Sequence, residues 1–158
     1  MNKNNIKTSG FSLAKKKELT GDDFYEVKVF DNLVVAVLCD GVGSADEGAH
    51  AAKRVTRHLI NNFKTRPIAW SIEKSIKHFI TSINTILYQE SMQNYERTEL
   101  VTTVTIVVIV GNRMYGANVG DSRVYLYRKN ELTQLSCDHN MDEAGYENVL
   151  TDAIGLQP

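Results

Sequence analysis

Four acidic residues carry the chemistry this sequence could perform. Asp22 and Asp23 follow Thr20-Gly21, Asp40 ends the apolar run Leu33-Val34-Val35-Ala36-Val37-Leu38-Cys39, and Asp121 follows Gly120. A carboxylate at the end of a buried strand is costly unless something pairs with it. Gly41 and Gly43, just after Asp40, allow a tight turn and a close approach of backbone to a ligand. No sulfur or imidazole ligand surrounds these acids, so carboxylate and carbonyl oxygens would select a hard cation, Mg²⁺ or Mn²⁺. Aspartate is also common in ordinary turns, and spacing alone leaves both readings open.

Other chemistries fit less well. Asp40-Gly41-Val42-Gly43 invites a dinucleotide fingerprint, but its third glycine would fall at Asp46 and no parallel βαβ unit follows. No Gly-Lys-Ser/Thr closes a phosphate loop. A calcium loop of EF-hand type would need oxygen donors where Val42 and Ser44 stand. Cys39 reads as a small buried hydrophobe, not a nucleophile. The two cysteines, Cys39 and Cys137, form no disulfide framework and have no metal-site spacing.

The elements that must position the acids follow from periodicity. Residues 24–30 and the β-branched run from Leu33 read as a hairpin turning at Asp31-Asn32. A helix is expected over residues 46–63, with Pro67 in the connection. A longer helix starts near Ser71 and carries the stripe Ile72, Ile76, Phe79, Ile80, Ile83, Ile86 and Leu87. Residues 89–99 are polar and read as a loop. Three strands are expected at 101–110, 113–119 and 122–127, their short connections making antiparallel neighbours. Residues 11–14 read as a short strand. Lys15-Lys16-Lys17 reads either as a solvated loop or as an anion contact. The order of strands, two helices, then strands indicates an α+β fold with helices on largely antiparallel sheet.

The chain has 158 residues, is 42% hydrophobic and carries a formal net charge of −1. That suits one compact domain with a real core. There is no basic excess for nucleic acid, no apolar run long enough for a membrane span and no signal-peptide core at the N-terminus. Reduced thiols point to the cytoplasm.

Six motifs in order resemble the metal-dependent protein serine/threonine phosphatases of type 2C. They are Asp22-Asp23-Phe24, Val37-Leu38-Cys39-Asp40-Gly41-Val42-Gly43, Thr102-Thr103, Gly120-Asp121-Ser122-Arg123, Asp138-His139 and Leu150-Thr151-Asp152-Ala153-Ile154-Gly155. The Gly-Phe-Ser-Leu-Ala opening looks closest to bacterial members, including those fused to a protein kinase. Residues 1–10 are polar and read as a flexible N-terminus, and from Phe11 the resemblance implies a phosphatase-like domain (residues 11–158) built as two antiparallel β-sheets in a sandwich flanked by helices. It implies two or three Mn²⁺ or Mg²⁺ ions in the complete domain, with Asp40 bridging two, the Gly41 carbonyl and Asp23 as ligands, Asp22 beside them, and Asp121 at an accessory ion. It implies catalytic roles for Asp40, Asp23 and, at the phosphate, Lys17. Its substrate would be a phosphorylated protein and its partner a cognate kinase, with no nucleic acid and no membrane.

The sequence departs from the family in four ways. A lysine among Lys15-Lys16-Lys17 replaces the usual arginine and lacks its bidentate fork. Val42 stands where many eukaryotic members have a histidine, and Asp152 where the family has an arginine. The later Asp-Gly-Leu and Asp-Asn segments of the family have no counterpart before Pro158, so the chain is expected to be C-terminally incomplete and to turn over little substrate by itself. The alternative is a catalytically silent binding or regulatory module, or an inactive fragment.

Overall fold

The computed structural model describes residues 6–13, 21–30, 32–146 and 148–158. Strand β1 (Asp23–Phe30) and strand β2 (Leu33–Val42) form the expected hairpin, with Phe30 opposite Leu33 and Asp23 opposite Asp40. The other edge of β2 receives β3 (Val101–Thr102) and β4 (Val104–Val110), and β5 (Arg113–Val119) pairs with β4. The sheet order is β1-β2-β4-β5, all antiparallel.

Helices α1 (Ala45–Lys64) and α2 (Ile72–Tyr95) supply the rest of the core. Alternate residues of β2, namely Val35, Val37 and Cys39, pack with Val55, Leu59 and Phe63 of α1 and with Phe79, Ile83 and Leu87 of α2. Burial pushes the Cys39 thiol up to about 12, against a weaker opposing hydrogen bond with Thr56. The thiol therefore stays protonated and inert, as expected of a core cysteine.

Three expectations are corrected. Residues 11–13 are not a strand, and Ala14 lies outside the described residues. Residues 89–95 continue α2 instead of forming a loop. Their polar side chains coat the solvent side, while Ser91 is buried one turn after Leu87 and its hydroxyl accepts from the Glu99 and Leu100 amides. The helix stops where Glu96 turns left-handed, at φ 56°. Finally, the third expected strand begins at Tyr125 and does not pair with β5. Strand β6 (Tyr125–Arg128) pairs with a further strand, β7 (Glu131–Gln134), as a separate two-stranded sheet. Lys129 and Asn130 both have positive φ, the backbone that a two-residue hairpin of the primed type needs. The two antiparallel sheets and the helices make the α+β class.

The segment after β7 docks back on the domain. Ile154 and Thr102 exchange backbone hydrogen bonds of 2.9 and 3.1 Å. The Asn84 side chain on α2 accepts from the Gly155 amide at 2.8 Å and donates to the Gln157 carbonyl at 2.9 Å.

His58 on α1 gives a pH test of the helix layer. Burial holds its pKa below the usual histidine range, the Phe79 backbone opposes this, and Arg54 reinforces it. Its Nε2 is buried with no hydrogen-bond partner among the described residues. The unfolded chain therefore binds this proton first as pH falls, and the stability present above about pH 6.5 is lost as pH drops towards the lower folded value. The melting temperature of the protein is expected to fall more steeply between pH 7 and pH 5.5 than that of His58→Gln. Equal slopes would show that His58 does not titrate against folding.

Candidate active site

The Asp23 and Asp40 carboxylates are brought together by register. They are direct partners across the β1–β2 ladder, so both project from one face of the sheet. Alternation puts that face opposite the one carrying Val35, Val37 and Cys39. Like charges directly opposite each other in a ladder are destabilising, and the Cβ atoms of such a pair lie only about 4.5–5.5 Å apart. A divalent cation between them reverses that sign.

The strand does not stop at Asp40, as the sequence suggested, but runs on to Val42. Gly41 is required here for packing and not for a turn. A Cβ on it would lie 2.3 Å from the Gly48 carbonyl carbon and 2.4 Å from its oxygen, so glycine lets the start of α1 rest on the end of β2. The Gly41 amide donates to the Asp22 carbonyl at 3.1 Å, which joins the Asp22-Asp23 turn to the same strand end. Gly43, with φ 96°, makes the actual turn into α1.

The main chain of Asp40 is held by two buried threonines. Its amide donates to Thr103 Oγ1 at 3.0 Å, and its carbonyl accepts from the Thr103 amide at 2.9 Å and from Thr102 Oγ1 at 2.8 Å. Both threonines are at most 1% exposed. The sequence shows Thr102, Thr103 and Thr105 as hydroxyls in a β-branched run, which does not say what they hold.

Asp121 sits half-buried on a turn fastened from several sides. Gly120, at φ 105°, donates to His139 Nδ1 at 3.3 Å and accepts from the His139 amide at 3.1 Å. Ser122 Oγ lies 3.0 Å from Thr103 Oγ1. Arg123 forks onto Asp138, its Nε 2.8 and 3.0 Å from the two carboxylate oxygens. This contact holds the Asp138 carboxyl below the usual carboxylate range. The two residues serve as a clamp on the turn.

Among the described residues, no group of three His, Cys, Asp or Glu side chains converges to hold a metal ion. Asp23 and Asp40 therefore stand together as a pair, and Asp121 is not brought into a shared cluster with them. Lys15, Lys16 and Lys17 lie outside the described residues. The donor chemistry of the pair, two carboxylates beside the Gly41 carbonyl, is all oxygen and fits one hard cation completed by water.

This layered α+β arrangement, with a carboxylate pair at one end of its larger sheet, defines the class of protein. The chain belongs to the protein phosphatase 2C family, whose family model matches residues 10–155. A probable protein phosphatase 2C of Arabidopsis thaliana (number 76) is 28% identical over 147 residues, covering 93% of this chain and 35% of the relative. A probable protein phosphatase 2C of Oryza sativa subsp. japonica (number 59) is 30% identical over 151 residues, covering 93% of this chain and 45% of the relative. The serine/threonine phosphatase of S. agalactiae superposes with a TM-score of 0.79 at 22% identity, over 93% of this chain and 67% of that one. The chain thus spans between about a third and a half of the length of these curated relatives. No helix among the described residues is long and apolar enough to cross a membrane.

Proposed function

We propose that this protein is a metal-dependent protein serine/threonine phosphatase that hydrolyses phosphoserine and phosphothreonine with water. The observation that carries this reading is the cross-strand pair Asp23–Asp40 in a chain of this family. Asp40, Asp23 and the Gly41 carbonyl would hold Mn²⁺ or Mg²⁺, with Asp22 beside them and Asp121 serving an accessory ion. Bound divalent ions supply an acidified water and offset charge on the phosphoryl oxygens.

The chain's own residues have separate tasks in this reading. Asp40 and Asp23 present paired negative charge at a fixed spacing, and the threonines hold the Asp40 backbone. Lys17 offers a cation to the substrate phosphate. The substrate is a phosphorylated protein, a cognate kinase is the natural counterpart, and two free thiols, Cys39 and Cys137, suit a reducing cytoplasm. A second reading is a silent binding or regulatory module, in line with Val42 and Asp152 standing where family members carry a histidine and an arginine.

Calorimetric titration with Mn²⁺, paired with phosphate release from a phosphothreonine peptide, separates the two. The protein as its gene encodes it is expected to show chelator-sensitive release. Release that a chelator leaves unchanged would overturn the metal reading. Mn²⁺ binding without any release by the gene's product would favour the silent module.

A further inference from the structure

We infer that Thr103 and Ser122 are positioning residues that couple the Asp121 turn to the backbone of Asp40, and so set the geometry of the metal-binding pair. This rests on the reading of Asp40 as a metal ligand. The chain of contacts is continuous: the Asp40 amide donates to Thr103 Oγ1 at 3.0 Å, and that hydroxyl lies 3.0 Å from Ser122 Oγ, the residue after Asp121.

The Thr103 hydroxyl takes the place of a main-chain acceptor. On either side of this point β2 pairs with β3 and β4 in one unbroken register, yet the Asp40 amide bonds to the Thr103 side chain. An oxygen that accepts from Asp40 keeps its own proton to donate, and Ser122 is the hydroxyl within reach. The Thr103 side chain is fixed by packing as well. A Cβ on Gly120 would lie 2.6 Å from Thr103 Cγ2 and 2.7 Å from its Cβ, so the turn rests directly on the threonine. Asn118 Nδ2 donates to the Gly120 carbonyl at 3.0 Å, and the Arg123–Asp138 fork holds the far side. The turn is therefore a rigid abutment. Displacing it moves the Thr103 hydroxyl, and with it the peptide that carries the Asp40 carboxylate.

The residue types report on the roles separately. Thr103→Val keeps shape and removes the hydroxyl, Thr103→Ser keeps the hydroxyl and loosens the packing, and Ser122→Ala spares the Asp40 contact but removes its support. Two readouts are taken on the gene's full product: Mn²⁺ affinity by calorimetry, and hydrogen exchange of the Asp40 amide by NMR. Thr103→Val is expected to weaken Mn²⁺ binding by about tenfold, the size of one hydrogen bond lost at a site. It is also expected to speed exchange at the Asp40 amide. Ser122→Ala shifts both in the same direction by less, and Thr103→Ser restores both towards the parent. Unchanged Asp40 exchange in Thr103→Val, or in Ser122→Ala if the valine variant does not fold, overturns the positioning role. Faster exchange with unchanged Mn²⁺ affinity overturns the coupling to the ligand pair. If the parent protein binds no Mn²⁺, the metal reading fails while the exchange data still decide whether the hydroxyls hold Asp40.

Discussion

Asp40→Ala is expected to lower phosphothreonine hydrolysis by the gene's full product by well over tenfold and to remove measurable Mn²⁺ binding. The fold should survive, because every bond that the threonines make to residue 40 uses its main-chain N–H and C=O, which alanine retains. The variant also removes one of two like charges set opposite each other in the ladder, a relief of roughly 0.2–1 kcal/mol. Added Mn²⁺ should raise the melting temperature of the parent and leave that of Asp40→Ala unchanged. Activity within a factor of about ten of the parent, or about 1.4 kcal/mol in barrier, would remove Asp40 from the site.

The largest stability effect is expected from Gly41→Ala, a single methyl group placed where two backbones meet. The new Cβ would lie 2.3 to 2.8 Å from Gly48 and Ala49 main-chain atoms, so the start of α1 must lift off β2. Rigid overpacking of this kind costs about 3 kcal/mol, a fall of roughly 6–12 °C in melting temperature for a domain of this size. Gly43→Ala makes a useful contrast. A Cβ there meets nothing within 4 Å, so its cost is the strain of φ 96° alone. A Gly41→Ala protein that melts no lower than Gly43→Ala would show that the helix start yields easily.

Hairpins and amphipathic helices were legible in the sequence because their signals are local. The β1–β2 hairpin follows from one apolar run and a two-residue turn, whereas the register that sets Asp23 against Asp40 is seen only in the ladder itself. The last turns of α2 were not legible, because Ser91 is buried for a contact with Glu99 and Leu100 that no periodicity reveals. The pairing of β6 with β7 was missed for a similar reason. A short connection after β5 suggests a neighbour in the same sheet, yet Gly120 turns left-handed there and Ser122 is held by Thr103. At the site, the acids announced themselves by type and place. The roles of Thr102 and Thr103 did not, since a threonine in a strand looks like any other β-branched residue.

The two halves of the acidic end have different kinetic origins. Asp23 meets Asp40 inside one hairpin, a closure within reach of microsecond chain motions. The Thr103 hydroxyl that steadies Asp40 lies 63 residues further along, and closing that longer loop costs roughly 1 kcal/mol more in chain entropy. Between them both long helices must be made. The hairpin that carries the charged pair can thus close by itself, whereas the bond from the Asp40 amide to Thr103 needs β3 and β4, which flank Thr103, to have paired with β2.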